Sequence, residues 1–245
     1  MTANHMGQFS SYGHPISTQS RYTVKRRSDL LSLLPPKPFK SILEFGCADG
    51  SNLVYFAEDL KIEPAEIFGV DICKSTTSTS INFNFYHQSL ESFVQDKTRT
   101  FDLILLSDVL EHIYNPWQAL RQIKGLLPRG GALLISVPNL ENLNYLNFTA
   151  SGDFFYTPTG LMDETHIRFF SQKTLTHYLL ECGYRIVSTG FRPDLSLAQL
   201  KEQIKSQLSA HQVVNLRLGE ISIDITKETL ERKFGQQFLV CAENV

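Results

Sequence analysis

The sequence predicts an α/β protein built on a doubly wound sheet of mainly parallel strands, and three stretches carry that expectation. The first is Ile42-Leu43-Glu44-Phe45-Gly46-Cys47-Ala48-Asp49-Gly50-Ser51-Asn52, an apolar run followed by a glycine turn and a helix start. Ile42, Leu43 and Phe45 suit a central parallel strand, Gly46 and Gly50 permit backbone that a Cβ would forbid, and Ser51 or Asn52 can cap the helix. The second stretch, Ile67-Phe68-Gly69-Val70-Asp71, reads as the neighbouring strand and ends in an acid. The third is the clearest strand of all. Phe101-Asp102-Leu103-Ile104-Leu105-Leu106 is an apolar run suited to the sheet centre, and it empties into Ser107-Asp108-Val109-Leu110-Glu111-His112.

The remaining elements follow in chain order. Residues 1–15 are polar and rich in Gly, Ser and His, and no chemistry is assigned to them. Ser17 to Leu34, with the cluster Lys25-Arg26-Arg27, predicts a helix stopped by Pro35-Pro36, so residues 1–38 form a tail and helix ahead of a single domain at 39–245. A crossover helix runs to Leu60. After Asp71-Ile72 a Ser/Thr-rich run to Ser80 makes the second crossover short or irregular, and Phe83 to Tyr86 reads as a third strand leading to His87-Gln88-Ser89-Leu90. Asn115-Pro116 starts an amphipathic helix through Leu127, Pro128-Arg129-Gly130-Gly131 turns the chain, and Ala132 to Val137 is a strand. Residues 138–170 read as a long loop over the carboxyl ends of the sheet, hence a lid. Helix Ser171 to Cys182, ended by Gly183, and strand Tyr184 to Phe191 come next. Residues 192–235 read as an insertion before the last strand, Phe238-Leu239-Val240. It holds helix-like Leu195 to Leu208, an alternating stretch Val213 to Ile225 and a short helix Thr226 to Arg232, and it offers a dimer surface or one wall of a substrate site.

Composition excludes several classes. A chain of 245 residues, 42% hydrophobic, can bury one large core. A net charge of −2 lacks the basic footprint of a nucleic-acid binder. No run of about eighteen apolar residues occurs and the start lacks the apolar core of a signal peptide, which points to a soluble protein. Cys47, Cys73, Cys182 and Cys241 are scattered without C-x-x-C spacing. That argues against zinc and disulfides and fits a reducing cytoplasm.

The glycine turn decides the kind of cofactor. An acid at the tip of the second strand can accept hydrogen bonds from both hydroxyls of a ribose. A dinucleotide fold would use G-x-G-x-x-G to hold a pyrophosphate, which removes a nicotinamide oxidoreductase from consideration. Here the turn is G-C-A-D-G, with Ala48 in the middle-glycine slot and Asp49 placed to repel a phosphate, while Glu44 could receive a positive group. S-adenosylmethionine (SAM) carries an ammonium, a sulfonium and a ribose, and no phosphate. At these residues the chain resembles the class I SAM-dependent methyltransferases, whose first motif is acid-x-G-x-G-x-G and whose second strand ends in an acid; Ala48 is the departure. F-D-L-I, D-V-L-E-H, L-P-R-G-G and L-L-I-S-V-P-N resemble the later motifs, and the likeness spans residues 39 to about 191.

The resemblance implies a Rossmann-like seven-stranded sheet of order 3-2-1-4-5-7-6 with the last strand antiparallel. It implies SAM bound by Glu44, Gly46, Cys47, Gly50, Asp71, Ile72 and Ser107, with Ser89 and the Leu90 amide at the adenine. It also gives Arg27, or its neighbour Arg26, the SAM carboxylate. The implied reaction is methyl transfer to a small-molecule or glycan acceptor, most readily at oxygen. The string D-E-T-H-I-R-F-F is similar to lids in methyltransferases of quinone, polyketide and glycan biosynthesis. The alternatives are a non-catalytic SAM-binding adaptor, against which the intact motifs argue, and a metal-dependent RNA methyltransferase, against which the charge argues.

For the proton that an acceptor hydroxyl must lose, His166 is the leading candidate, with Asp163 or Glu164 able to fix its tautomer, and His112 is its rival. His87, His177 and His211 fall where a solvated or packed histidine is the ordinary reading. Asp108, Glu111 and His112 are spaced to share one face of a helical turn and would suit Mg²⁺, Mn²⁺ or Zn²⁺, resembling the acid-x-x-E-H ligands of some metal-dependent methyltransferases. Glu111 and His112 equally serve to brace the turn, and no metal ligand is assigned.

Overall fold

Four short runs without a charged residue at their apolar positions set the sheet: β1 (Ile42–Phe45), β2 (Ile67–Asp71), β4 (Leu103–Ser107) and β5 (Ala132–Pro138), with β3 (Asn84–His87) at the edge. In the computed structural model, which describes residues 26–73, 82–95 and 99–245, these five strands pair in parallel. β9 (Gly235–Asn244) inserts antiparallel between β5 and β6 (Tyr184–Pro193). The order is β3-β2-β1-β4-β5-β9-β6. A hairpin of β7 (Val213–Leu218) and β8 (Ile221–Thr226) stands apart from this sheet, so β9 is its seventh strand and the order 3-2-1-4-5-7-6 holds. The residues 1–25 and the Ser/Thr-rich crossover after Cys73 lie outside the described residues.

Alternation along the strands sends side chains into two apolar layers. Leu43, Phe45, Ile104 and Leu106 face α4 (Pro116–Lys124) and α6 (Gln172–Glu181), while Ile42, Leu103 and Leu105 face α2 (Ser51–Leu60) and Leu30 of α1 (Ser28–Leu31). Both faces are therefore covered, as parallel strands require. A third cluster joins Leu143 of α5 (Leu143–Ser151) to Ile204 and Leu208 of α7 (Ala198–Ala210), to Val214 and Ile225 of the hairpin, and to Leu230 and Phe234 of α8 (Lys227–Phe234). The insertion thus has a core of its own, shared with the lid helix.

Several expectations are corrected. Neither Ser51 nor Asn52 caps α2: Gly50 is the cap residue, in a left-handed conformation, and Asp49 Oδ1 accepts from the Ser51 amide at 3.0 Å. Asn52 is turned inward instead. The stretch 138–170, expected to be a loop serving as a lid, is not structureless, since Asn142, read as a loop residue, accepts from the Asn144 amide at 2.8 Å and starts α5. The sequence hid this helix because its apolar and polar residues do not sort into a stripe. The alternating stretch after Val213 is broken by a turn at Gly219, whose φ is +56°, giving a hairpin. Ser171 and Thr226 cap α6 and α8 with reciprocal bonds to Thr174 and Thr229. Among the described residues no helix is long and apolar enough to cross a membrane.

The third cluster makes a stability prediction. Ile225 is 0% exposed, so Ile225→Ala should lower unfolding free energy by about 2–5 kcal/mol through lost burial and a residual cavity, read from urea denaturation.

Candidate active site

The carboxyl ends of β1, β2 and β4 bring the glycine turn, Asp71 and Ser107 to one rim. Gly46 and Gly50 have φ of +68° and +78°. A Cβ at Gly50 would lie 2.3 Å from the Phe83 ring, and one at Gly46 would lie 2.8 Å from Val109 Cγ2. Ala48 is also left-handed, with φ +48°, and this turns its amide toward Asp71. Asp71 Oδ2 accepts from Ala48 N at 2.8 Å and Oδ1 from Cys73 N at 2.7 Å. Each carboxylate oxygen keeps a further lone pair for a ligand. Ile72 is 62% exposed beside it, an apolar surface without cover, and its carbonyl meets His87 Nε2 at 2.9 Å.

The other turn residues are placed as follows. The Cys47 thiol is buried against Gly69, and burial pushes its pKa up, so only its backbone belongs to the turn. Ser89 caps the short α3 (Leu90–Phe93), its Oγ accepting from Ser92 N at 3.2 Å, which leaves less of the hydroxyl for an adenine; the Leu90 side chain is buried. Glu44 is 1% exposed; Oε1 accepts from Asn52 Nδ2 at 2.6 Å, and Oε2 has no partner among the described residues. Desolvation raises its pKa to about 7. Ser107 Oγ shares the same Asn52 amide at 3.3 Å. The sequence offered Asn52 only as a helix cap; its inward amide serves Glu44 and Ser107 instead.

Arg27 is buried, yet its guanidinium is already engaged. Nε and Nη2 hold Asp29, Nη1 reaches Asp108 and Ser136 Oγ at 3.3 Å, and Nη2 reaches Gln237 Oε1 at 3.0 Å. A SAM carboxylate at Arg27, as the resemblance implies, would share the guanidinium with these partners. Arg26 pairs with Asp59 and lies over Tyr55, away from the rim. Asp108, left-handed at φ +58°, also accepts from Ser136 Oγ and Gln237 Nε2, each at 2.8 Å. Its side chain is therefore committed to this network, and the expected face of Asp108, Glu111 and His112 is not formed.

A different set forms instead. Leu110–His112 is a 3₁₀ turn, and Glu111, His112 and His166 offer ligand atoms within 4.8 Å of one another. The imidazole centroids are 4.9 Å apart, edge to face. Glu111 is 1% exposed and neither carboxyl oxygen has a partner among the described residues; burial, and then the nearby Asp108 charge, hold its pKa well above the carboxylate range. Burial lowers both histidine pKa values, with the second imidazole lowering that of His166 further. Burial thus disfavours the charged form of all three side chains. The three side chains could hold a divalent cation.

The lid brings His166 here through backbone. Ile167 and Arg168 amides donate to the Glu111 carbonyl at 2.9 and 3.0 Å, and Arg168 grips the Tyr114 carbonyl. His112 Nδ1 faces Thr165 O at 3.2 Å, and the Thr165 hydroxyl donates to Asp163 Oδ1 at 2.6 Å. His166 Nδ1 faces the Leu161 carbonyl at 3.3 Å, a contact the sequence reading did not name. A backbone carbonyl leaves no residue signature, which is why the sequence could not supply it.

The fold and this rim define the architecture of a class I SAM-dependent methyltransferase. A family profile described as a methyltransferase domain matches residues 18–189, and the chain belongs to that family. It is 26% identical over 158 residues to a ubiquinone biosynthesis O-methyltransferase of Coxiella burnetii, spanning 60% of this chain and 64% of that protein. A protein of the same description from Azoarcus sp. is 22% identical over 159 residues, 61% of this chain and 66% of its own. The chain thus matches less than two thirds of these relatives' length. Among solved structures, a SAM-dependent methyltransferase from Archaeoglobus fulgidus superposes with TM-score 0.55 at 16% identity, covering 84% of this chain and 86% of its own. The plantazolicin methyltransferase in complex with SAH superposes with TM-score 0.54 at 15% identity, covering 89% and 80%.

Proposed function

We propose that this chain methylates an oxygen of a small-molecule or glycan acceptor with SAM. The observation that supports it most is Asp71, held by the Ala48 and Cys73 amides with lone pairs to spare at the tip of β2. The residues fit SAM in two further respects: Gly46 and Gly50 hold a left-handed turn packed so closely on Val109 and Phe83 that a Cβ could not enter, and Glu44 Oε2 is a buried oxygen lacking a donor. In this reading Asp71 takes the ribose hydroxyls, Ile72 covers the adenine, Ser89 and the Leu90 amide meet its edge, and Glu44 receives the ammonium. Arg27, which holds Asp108, would share its guanidinium with the SAM carboxylate. The backbone of Gly46, Cys47 and Gly50 and the Ser107 hydroxyl line the remaining wall.

SAM supplies a methyl group already activated on a positive sulfur. What remains for the protein is to align the acceptor and take its proton. With SAM bound to supply the methyl, the acceptor proton would pass to His166, with His112 beside it. The lid and the insertion serve as acceptor walls, the insertion or another face pairing two copies if the protein dimerises. The four free cysteines support a cytoplasmic setting, and the matching relatives' names support a small-molecule acceptor over nucleic acid. An adaptor without activity would have no use for two desolvated histidines at this rim.

A second reading draws on the Glu111, His112 and His166 cluster: a divalent cation there would ionise the acceptor oxygen in place of a free base.

Calorimetry should find micromolar SAM affinity and its loss by about 2–4 kcal/mol in Asp71→Ala, because two ribose hydroxyls lose a charged acceptor. Unchanged affinity would remove the basis of the proposal. Once an acceptor is in hand, His166→Ala should slow single-turnover transfer by about 10²–10⁴-fold at saturating SAM, while SAM affinity stays intact. The base works unprotonated and its pKa is lowered, so the parent rate should fall only below about pH 6.5, as protons compete for the imidazole. Full activity after exhaustive chelation favours the free base; loss, with recovery on adding Mg²⁺, Mn²⁺ or Zn²⁺, favours the cation.

A further inference from the structure

We propose that Tyr145 is a positioning residue for His166, acting through the Leu161 carbonyl, and that the insertion is the support on which this device rests. The proposal deepens the reading of His166 as the proton acceptor and concerns the state of its ring.

Tyr145 is 1% exposed, and its hydroxyl donates to the Leu161 carbonyl. The same carbonyl oxygen lies 3.3 Å from His166 Nδ1. A carbonyl only accepts, so this geometry places the ring hydrogen on Nδ1 and keeps the lone pair on Nε2, the atom left for an acceptor proton. One oxygen thus takes two donors and has both lone pairs used. The tyrosine hydroxyl stays a donor at neutral pH, since burial pushes its pKa up.

The carbonyl is itself held in a tight piece of backbone. Thr157 N donates to Met162 O at 2.8 Å, Asp163 N to Gly160 O at 3.2 Å, and His166 N to Asp163 O at 3.0 Å. These bonds are local to the lid. The Tyr145 hydroxyl, by contrast, joins this turn to a different element, α5. That helix is anchored beyond the lid: Leu143, two residues from Tyr145, packs with Ile204, Leu208, Val214 and Ile225 of the insertion. Asn144 Nδ2 adds a bond of 3.0 Å to Asp194 Oδ2 at the start of the insertion. A line of packed and bonded groups therefore runs from the insertion core through α5 and Tyr145 to the imidazole. Phenylalanine at this position would keep the packing and remove only the last link.

The test is Tyr145→Phe in the full chain, with histidine labelled by ¹⁵N and His166 assigned by loss of its signals in His166→Gln. In the parent, His166 should show one tautomer, hydrogen on Nδ1. In Tyr145→Phe it should show a mixture of the two tautomers, since the carbonyl is no longer held in place. SAM affinity by calorimetry and the thermal midpoint should change little, since the ring of residue 145 stays buried. An unaltered tautomer in the variant would overturn the proposal, as would a loss of SAM affinity and folding together, which would mark a general structural role. The readout reports the ring itself, so its outcome is separable from whether His166 proves to be the base in single-turnover transfer.

Discussion

The bond between the Ala48 amide and the Asp71 carboxylate is the constraint on which the cofactor rim depends. It ties the turn after β1 to the tip of β2, across a parallel ladder in which Phe45 and Val70 are partners. Ala48 stands in a left-handed conformation that costs a residue with a Cβ about 1–2 kcal/mol. A hydrogen bond to a charged group returns about 1.5–3 kcal/mol, so the strained turn is the favoured one while the acid is present. A glycine in the same slot would remove the strain. Alanine is tolerated because the carboxylate that a ribose would need also holds the turn in shape.

Burial without partners separates the groups kept for chemistry from those kept for structure. Arg27 and Asp108 are buried or half-buried and bonded on several sides, so their charges are compensated and they fix the rim. Glu44 and Glu111 are as deeply buried but leave carboxyl oxygens unsatisfied. A buried carboxyl without a donor costs roughly 1–3 kcal/mol or more, and a fold retains such a cost where a ligand relieves it. Glu44 stands beside the glycine turn and Glu111 beside the two histidines. These are the two places where a cofactor ammonium and an acceptor or cation would arrive.

The insertion changes what the lid is. A lid of loop alone would sample many backbones, whereas α5 gives it a helix whose Leu143 is buried in the insertion's core. The carbonyls of Leu161 and Thr165 then meet the Nδ1 atoms of His166 and His112, and the Glu111 carbonyl receives the amides that end the lid. Under the proposed function, rigid support of this kind would hold the base within reach of its proton.

Local pattern determined the sheet and the cofactor side of this protein. Strand runs such as Leu103 to Leu106, the turn from Gly46 to Gly50 and the acid Asp71 are contiguous signals, because parallel strands buried on both faces need unbroken apolar residues and a turn needs its own glycines. His112 and His166 were also singled out from the sequence. Their meeting was not, nor was the replacement of Asp108 by His166 beside Glu111, nor the capture of Arg27 by Asp29, Asp108, Ser136 and Gln237. Those outcomes depend on strand order and on a lid that returns across the sheet, which place residues far apart in the chain side by side. The groups that orient the imidazoles are backbone carbonyls, identical at every residue, so only the tertiary structure could decide which of them the rings would find.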